Sequence, residues 1–310
     1  MSILTKVLKL FCYDPETDGA NTFNIPKALN ENWEKIDAAL APLGGATTAQ
    51  AALAALGAGV RPNELDNAYF VGGGTGWDVF PVNQRGVSGT ISAPGYFIDR
   101  WKLVSGTVQI TAVGLVLNGT IAQILPGSIG SVYTATALTT TGIVTCQYDD
   151  ASRTFTITGT GQTFIFAKLE RGVGQTAAYQ DADNAWHMLP QQENDYATQL
   201  AKCQSDLLVF ATRGSNVAYL AYGFAETTAK YRFSLPTPST MRRNPVMTYT
   251  GGLFVIAHGT RVNITSISAL WQPNQNSINI IAEVESEGVA DEFAMLGIGY
   301  EDSTLVLQCP

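Results

Sequence analysis

The hydrophobic positions near the N-terminus recur at the spacing of a narrow helical stripe. Apolar residues stand alternately four and three positions apart at Leu29, Trp33, Ile36 and Leu40. This spacing places the four side chains on one line of an α-helix, which a partner helix covers better than a globular core does. We therefore predict a helix over residues 24–43 that mediates oligomerisation. The stripe is too short to hold an oligomer alone, and its residue types do not decide between dimer and trimer.

Further along the chain the hydrophobic period changes to two, which is typical of β-strands. Strand-like segments separated by Gly, Pro, Asn and Asp recur about every ten residues, and they predict a jelly-roll β-sandwich over residues 61–180. Within it, Asn118–Gly119 is the strongest two-residue hairpin signal. The glycine-rich run at residues 72–76 predicts a hinge between the N-terminal helix and the sandwich.

Spacings of three and four return in the second half of the chain. They cover residues 186–212 and predict a linker helix, to which we assign residues 181–212. Strands then resume and predict a C-terminal β-sandwich over residues 213–310, which we call the tip. The predicted fold class is mainly β, with a helical coiled-coil stalk in residues 1–60.

The composition narrows the classes of partner. Charged residues make up 14% of the 310 residues, and the net charge is -8. Such a chain lacks the clustered Lys and Arg that phosphate contacts require, so we exclude nucleic acid as a partner. No apolar run is long enough to span a membrane, and no basic-then-apolar leader is found. We expect no membrane insertion and no secretion signal, and therefore synthesis in a cytoplasm.

The sequence offers little catalytic chemistry. Its four cysteines are far apart and form no metal-binding spacing with histidine, so we expect no metal, no cofactor and no disulfide framework. His187 and His258 are the only histidines, and no hydrolase or nucleotide-binding motif accompanies them. Glu283 and Glu285 share one strand face. The sequence leaves three alternatives for these two carboxylates. They act as a pair that cleaves glycosidic bonds, they bind calcium, or they belong to a solvated strand face. We predict that the chain is not an enzyme.

One predicted loop carries the chemistry of sugar recognition. Between two strands, an aromatic side chain is followed by amides and a proline, at Trp271, Gln272, Pro273, Asn274, Gln275 and Asn276. Flat aromatic faces pack on the C–H faces of sugars, and amides bond sugar hydroxyls. We predict that this loop binds a ligand, with His258 as a further contact. The alternative is that Trp271 packs at an interface between subunits.

Six segments resemble tail-fibre proteins of bacteriophages and prophages, and they occur in that family's order. They are residues 23–37 (FNIPKALNENWEKID), 80–86 (FPVNQRG), 95–101 (GYFIDRW), 167–172 (AKLERG), 200–204 (LAKCQ) and 233–245 (FSLP followed by MRRNP). One segment departs from the family, which has Asn-Gly-Asp-Phe where this chain has GWDVF at residues 76–80.

The resemblance implies an architecture and a role. It implies a homotrimer whose residues 1–60 dock to a phage tail or baseplate protein. It also implies a jelly roll similar to carbohydrate-binding modules, and a tip that binds a bacterial surface glycan for host adsorption. The expected location is the virion tail, after synthesis in the bacterial host cytoplasm. Two alternatives are a fibre-borne polysaccharide depolymerase and a structural baseplate or decoration protein without a ligand.

Overall fold

The computed structural model describes residues 3–4, 11–12, 30–40, 59–74, 79–181, 184–191, 195–212, 217–257, 259–270, 277–285, 293–299 and 303–309. The chain is mainly β, as predicted. One hydrophobic core collects residues between Leu65 and Ala178, and a second collects residues between Leu208 and Cys309. We call the parts built around these cores the sandwich and the barrel.

The predicted N-terminal helix is present in part. The described elements here are β1 (Ile3–Leu4), β2 (Phe11–Cys12) and α1 (Glu31–Leu40). On α1, Trp33 is 64% exposed and Ile36 is half-buried. Leu29 lies outside the described residues, and of Leu40 only the backbone is described. A coiled coil stays a prediction, in which the exposed indole of Trp33 is the surface that a partner would cover.

Eight antiparallel strands form the sheet of the sandwich. Their bounds are β3 (Thr90–Ile91), β4 (Gly95–Ile98), β5 (Trp101–Thr111), β6 (Gly114–Ile124), β7 (Tyr133–Thr139), β8 (Gly142–Thr145), β9 (Gln147–Asp149) and β10 (Thr154–Arg171). The strand order is β3-β5-β6-β10-β7-β8, with β4 paired to β5 and β9 paired to β10. The described strands therefore form one continuous sheet around one core. Strand β10 pairs with β6 through residues 154–164 and with β7 through residues 164–171, so this long strand joins two parts of the sheet. The β-sandwich character is thus present, and the jelly-roll topology stays a prediction.

A row of three glycines lets the long strands bend. Gly119 in β6 lies opposite both Gly106 in β5 and Gly159 in β10. Gly106 and Gly119 have φ angles of 79° and 144°, and a Cβ on Gly119 would clash with the backbone of β5. Only glycine adopts such a conformation at so close an approach. The predicted hairpin at Asn118–Gly119 is therefore wrong, because this pair lies inside β6 and the turn falls at residues 112–113.

Trp101 anchors the core of the sandwich. Its side chain is fully buried and meets Phe70 and Phe155 edge-on, with ring centroids 5.3 and 6.0 Å away. The indole Nε1 donates a hydrogen bond to the carbonyl oxygen of Asn67 at 2.9 Å. The polar edge of the ring is thus satisfied inside an apolar core, which makes its burial favourable.

Asp99 connects residues 80–86 with residues 95–101, two of the segments that resemble phage tail-fibre proteins. The carboxylate of Asp99 accepts hydrogen bonds from the backbone and side-chain nitrogens of Gln84, at 3.0 and 2.7 Å. Arg85 lies 3.9 Å from this carboxylate. Burial raises the pKa of Asp99 to about 6, although these hydrogen bonds and charges oppose the shift. Arg100 points elsewhere and forms an ion pair with Asp66 at 3.2 Å.

A buried ion cluster ties the start of the sandwich to β10. Glu170 accepts a hydrogen bond from Arg61 Nε at 3.0 Å and lies 3.6 Å from Lys168 Nζ. The backbone nitrogen of Thr176 also donates to Glu170, at 2.6 Å. The side chains of Lys168 and Glu170 have no exposed surface. Burial lowers the pKa of Lys168 to about 8, since an interior site disfavours the charged ammonium.

The described glycines of the predicted hinge pack on the sandwich. The backbone nitrogen of Gly72 donates to Ala112 at 2.8 Å, and that of Gly74 donates to Phe80 at 2.9 Å. Residues 75–78 lie outside the described residues. Gly72 is thus bonded to the turn between β5 and β6, whereas Gly74 is bonded only to the segment that precedes β3.

The linker between the two cores contains less helix than predicted. Its elements are β11 (Ala178–Gln180), β12 (Trp186–Met188), α2 (Tyr196–Gln204) and β13 (Leu207–Ala211). Asp195 caps α2 by accepting a hydrogen bond from the backbone nitrogen of Thr198 at 2.9 Å. The predicted helix over residues 186–212 is wrong at both ends, because these residues pair into strands. Tertiary strand pairing prevails there over helical spacing.

The tip is a closed barrel with a small sheet beside it. The remaining strands are β14 (Ala218–Thr227), β15 (Lys230–Pro236), β16 (Val246–Thr250), β17 (Leu253–Ala257), β18 (Thr260–Leu270), β19 (Ser277–Val284), β20 (Phe293–Ile298) and β21 (Thr304–Gln308). The barrel closes in the order β14-β15-β19-β18-β17-β20, and β13-β21-β16 forms the small sheet. The predicted C-terminal sandwich is thus replaced by a barrel, in which each of the six strands has two paired neighbours.

A network of charges joins the sandwich to the barrel. Arg242, between β15 and β16, donates to Asp206 at 2.6 Å and to Asp66 at 3.2 Å. Arg100 pairs with the same two carboxylates, at 2.9 Å for Asp206. Burial raises the pKa of Asp206. Because Asp66 and Arg100 belong to the sandwich and Arg242 to the barrel side, this network couples the two parts.

Candidate ligand-binding surface

The outer wall of the barrel carries exposed aromatic side chains. Tyr219, Tyr222 and Phe224 on β14 are 55%, 63% and 47% exposed, and Phe293 on β20 is 65% exposed. Phe224 lies directly opposite Phe293 in the ladder, and Tyr222 stacks on Phe293 with ring centroids 5.6 Å apart. We call these four side chains the aromatic strip. Of these, Tyr222, Phe224 and Phe293 adjoin one another, and adjoining exposed aromatic side chains are typical of an interaction site.

The narrow barrel explains why these rings face outward. Six strands enclose little space, and β14 contributes the small side chains of Ala221 and Ala225 to the interior, 5% and 0% exposed. A bulge between Tyr219 and Ala221 shifts the register, which turns both Tyr219 and Tyr222 towards the outside. The strip was not predicted from the sequence, although small and aromatic residues alternate in β14. Hydrophobicity alone assigns the aromatic face to the core.

Polar side chains border the aromatic strip on the neighbouring strand. On β15, Ser234 lies opposite Tyr222 and Arg232 lies opposite Phe224. Arg232 Nη2 donates to Glu226 at 2.6 Å in a partly exposed ion pair. Flat rings therefore stand beside a hydroxyl and a guanidinium–carboxylate pair. Sugars present both apolar C–H faces and hydroxyl groups, so this surface suits a glycan.

The predicted sugar-binding loop lies outside the described residues, which exclude Trp271, Gln272, Asn274, Gln275 and Asn276. The strands on either side of it are described, and they end at Leu270 and begin at Ser277. Across the four neighbouring strands, Leu270 pairs with Asn279, Asn279 with Ser234, and Ser234 with Tyr222. Three inter-strand steps of about 4.8 Å place Tyr222 about 14 Å from the base of the loop. An oligosaccharide spans such a distance.

The second predicted contact, His258, also lies outside the described residues. Its neighbours Ala257 and Gly259 are at the end of the barrel where β18 begins, whereas Leu270 is at the end where β18 finishes. An eleven-residue strand is about 35 Å long. The prediction of one site that combines His258 with the loop therefore needs a ligand nearly as long as the barrel.

The acidic strand face is part of a polar cluster on the barrel. Glu283 accepts a hydrogen bond from Ser266 at 2.8 Å and lies 3.4 Å from Lys230. These contacts, the Ser266 hydrogen bond first, lower the pKa of Glu283, whereas a general acid needs a raised pKa. Among the described residues, no three metal-ligating side chains come together. Ser266 and Lys230 thus already contact the carboxylate of Glu283, and the three alternatives for this strand face stay predictions.

Comparison with protein-family models, with curated proteins and with solved structures finds no match to this chain. The described helices include none that is long and apolar enough to cross a membrane.

Proposed function

We propose that this chain is a receptor-binding protein of a bacteriophage tail fibre, and that it binds a bacterial surface glycan through its barrel. In this proposal the chain is a homotrimer in the virion, and residues 1–60 form the stalk and attach to a tail or baseplate protein. The observation that carries the proposal is the aromatic strip beside Ser234 and the Arg232–Glu226 pair, since this combination matches the two faces of a sugar.

The energetics fit a multivalent receptor. Stacking of a sugar ring on one aromatic side chain contributes on the order of 1 kcal/mol, which is too little for stable attachment by one site. Three copies of the strip on one particle-bound trimer raise the effective concentration at each further contact. The six segments that resemble phage tail-fibre proteins also support this reading, because they occur in the same order along the chain.

Glycan-array binding by the intact chain tests the proposal. We expect binding to at least one bacterial surface glycan, and Tyr222→Ala and Phe293→Ala each lower the signal about fivefold or more, because each removes a ring worth on the order of 1 kcal/mol. Tyr249→Ala is the matched control. Tyr249 is an exposed tyrosine on β16, in the small sheet outside the barrel, and its loss should not change binding.

The mass of the same variants separates ligand binding from subunit contact. Light scattering should return a trimer for the original chain and for Tyr222→Ala and Phe293→Ala. A lower mass in the variants would assign the aromatic strip to a subunit interface. A monomer mass for the original chain would contradict the trimer. Release of reducing ends from a bound polysaccharide would support the depolymerase alternative.

A further inference from the structure

A second concave site lies on the sandwich. An open cleft of about 590 Å³ lies where β9 pairs with the start of β10. Its volume falls within the roughly 300–1,000 Å³ that small-molecule sites occupy. The residues that line it all belong to the sandwich, so it is separate from the aromatic strip of the barrel.

Two polar side chains without intramolecular partners face this cleft. Gln147 on β9 and Thr156 on β10 lie directly opposite each other, and both line the cleft. Within the described residues neither side chain makes a hydrogen bond. An amide and a hydroxyl on adjacent strands are thus available together, and both can donate to and accept from a hydroxyl-rich ligand.

The partly exposed ring of Tyr133 forms the apolar wall of the cleft, and it packs against Tyr148, which belongs to the core of the sandwich. The rings of Tyr133 and Tyr148 are perpendicular, with centroids 5.1 Å apart. The hydroxyl of Tyr133 donates to the carbonyl oxygen of Tyr148 at 2.8 Å, and the hydroxyl of Tyr148 donates to Asp150 at 3.0 Å. Both rings are therefore held in place before any ligand arrives, which reduces the entropy lost on binding.

The charge of the cleft selects among ligand classes. Asp149 is the one charged side chain that lines it, and hydrogen bonds from Ser152 and Ala151 lower the pKa of Asp149. The lining contains neither Lys nor Arg, which are the side chains that hold phosphates and carboxylates. An anionic ligand is thus disfavoured, whereas a neutral polyhydroxyl ligand matches the available amide, hydroxyls and rings.

We propose that this cleft is a saccharide-binding site, which holds a neutral pyranose through Gln147 and Thr156 with a C–H face against Tyr133. The site is independent of the proposed receptor site on the barrel. Its occupancy by a sugar requires neither the trimer nor attachment to a phage particle.

The test uses the intact chain in a background where the barrel site is removed. Saturation-transfer NMR of the Tyr222→Ala/Phe293→Ala chain, titrated with a panel of neutral gluco-, galacto- and manno-oligosaccharides, should still detect one of them. Adding Gln147→Ala and Thr156→Val together should weaken that binding about tenfold or more, since each change removes a hydrogen bond. Thr158→Val is the matched control, because Thr158 lies two positions further along β10 and does not line the cleft.

The outcomes separate this site from the barrel. Retained binding with Thr158→Val and lost binding with Gln147→Ala/Thr156→Val support the proposal, provided that thermal unfolding of the variants is unchanged. Absence of any saccharide signal in the barrel-site background overturns it, and so does binding that Gln147→Ala/Thr156→Val leaves intact. Either result leaves the glycan-array test of the barrel unaffected, because that test changes only residues of the barrel.

Discussion

The buried carboxyl of Asp99 predicts a specific dependence of stability on pH. Its pKa is raised from 3.8 to about 6, and a shift of about two units corresponds to about 3 kcal/mol. The folded chain holds this proton more tightly than the unfolded chain does. The contribution of Asp99 to the free energy of unfolding is therefore fully present below about pH 4, and it is lost as pH rises through about 6. Asp99→Asn removes the titration and should remove this loss.

Urea unfolding followed by tryptophan fluorescence at pH 4, 5, 6 and 7 measures the effect, since the buried Trp101 reports on the same core. Between pH 4 and 7, the free energy of unfolding should fall by about 2.5 kcal/mol less for Asp99→Asn than for the original chain, because part of the full effect lies below pH 4. Asp149→Asn is the control, because the pKa of this exposed aspartate is lowered and it does not titrate in that window. Equal pH profiles for Asp99→Asn and the original chain would show that Asp99 does not titrate with a raised pKa in the folded chain.

Two further predictions concern stability, and thermal or urea unfolding checks both. Glu170→Gln should destabilise the fold by about 3 kcal/mol, because it leaves a buried lysine without its counter-charge. Glu64→Gln breaks the exposed pair with Arg171 and should cost less than about 1 kcal/mol; equal effects would contradict the assigned burial. Gly119→Ala should prevent or strongly weaken folding, because its Cβ meets β5. Gly161→Ala, with φ of 96° but open space around it, should cost only about 1–2 kcal/mol of backbone strain; similar losses for both would exclude a role for the close approach.

Local patterns predicted those features that depend on neighbours along the chain. The period-two segments became strands. The helix around Trp33 is present in α1. These features follow from alternation, spacing and residue size, which are properties of a short window of sequence.

Features that depend on strand partners were not predictable in the same way. Asn118–Gly119 has the composition of a hairpin turn, yet Gly119 is glycine because Gly106 and Gly159 approach it from two other strands. Residues 207–211 have helical spacing but pair with β21. The closure of the barrel decides which face of β14 points inward, and so it decides that Tyr222 is exposed. Pairing of distant strands sets each of these outcomes, and one sequence window contains no information about it.

The candidate ligand-binding residues were likewise predictable from the sequence only where they are neighbours along the chain. The sequence identified the residue types for sugar binding in the loop that contains Trp271, which lies outside the described residues, so that prediction stays open. It did not identify the aromatic strip or the cleft between β9 and β10. Both surfaces collect residues from two or more strands, and register brings them together.

Binding of the intact chain to bacterial cells after selective chemical treatment shows whether its receptor is a glycan or a protein. A fluorescently labelled chain is applied to a panel of bacterial strains, and bound cells are counted by flow cytometry. Periodate oxidises the diols of surface glycans, whereas a protease removes surface proteins. The proposed function predicts a strain to which the chain binds, with binding abolished by periodate, retained after protease treatment and strongly reduced by Phe293→Ala. Binding that survives periodate and disappears after protease treatment would contradict a glycan receptor.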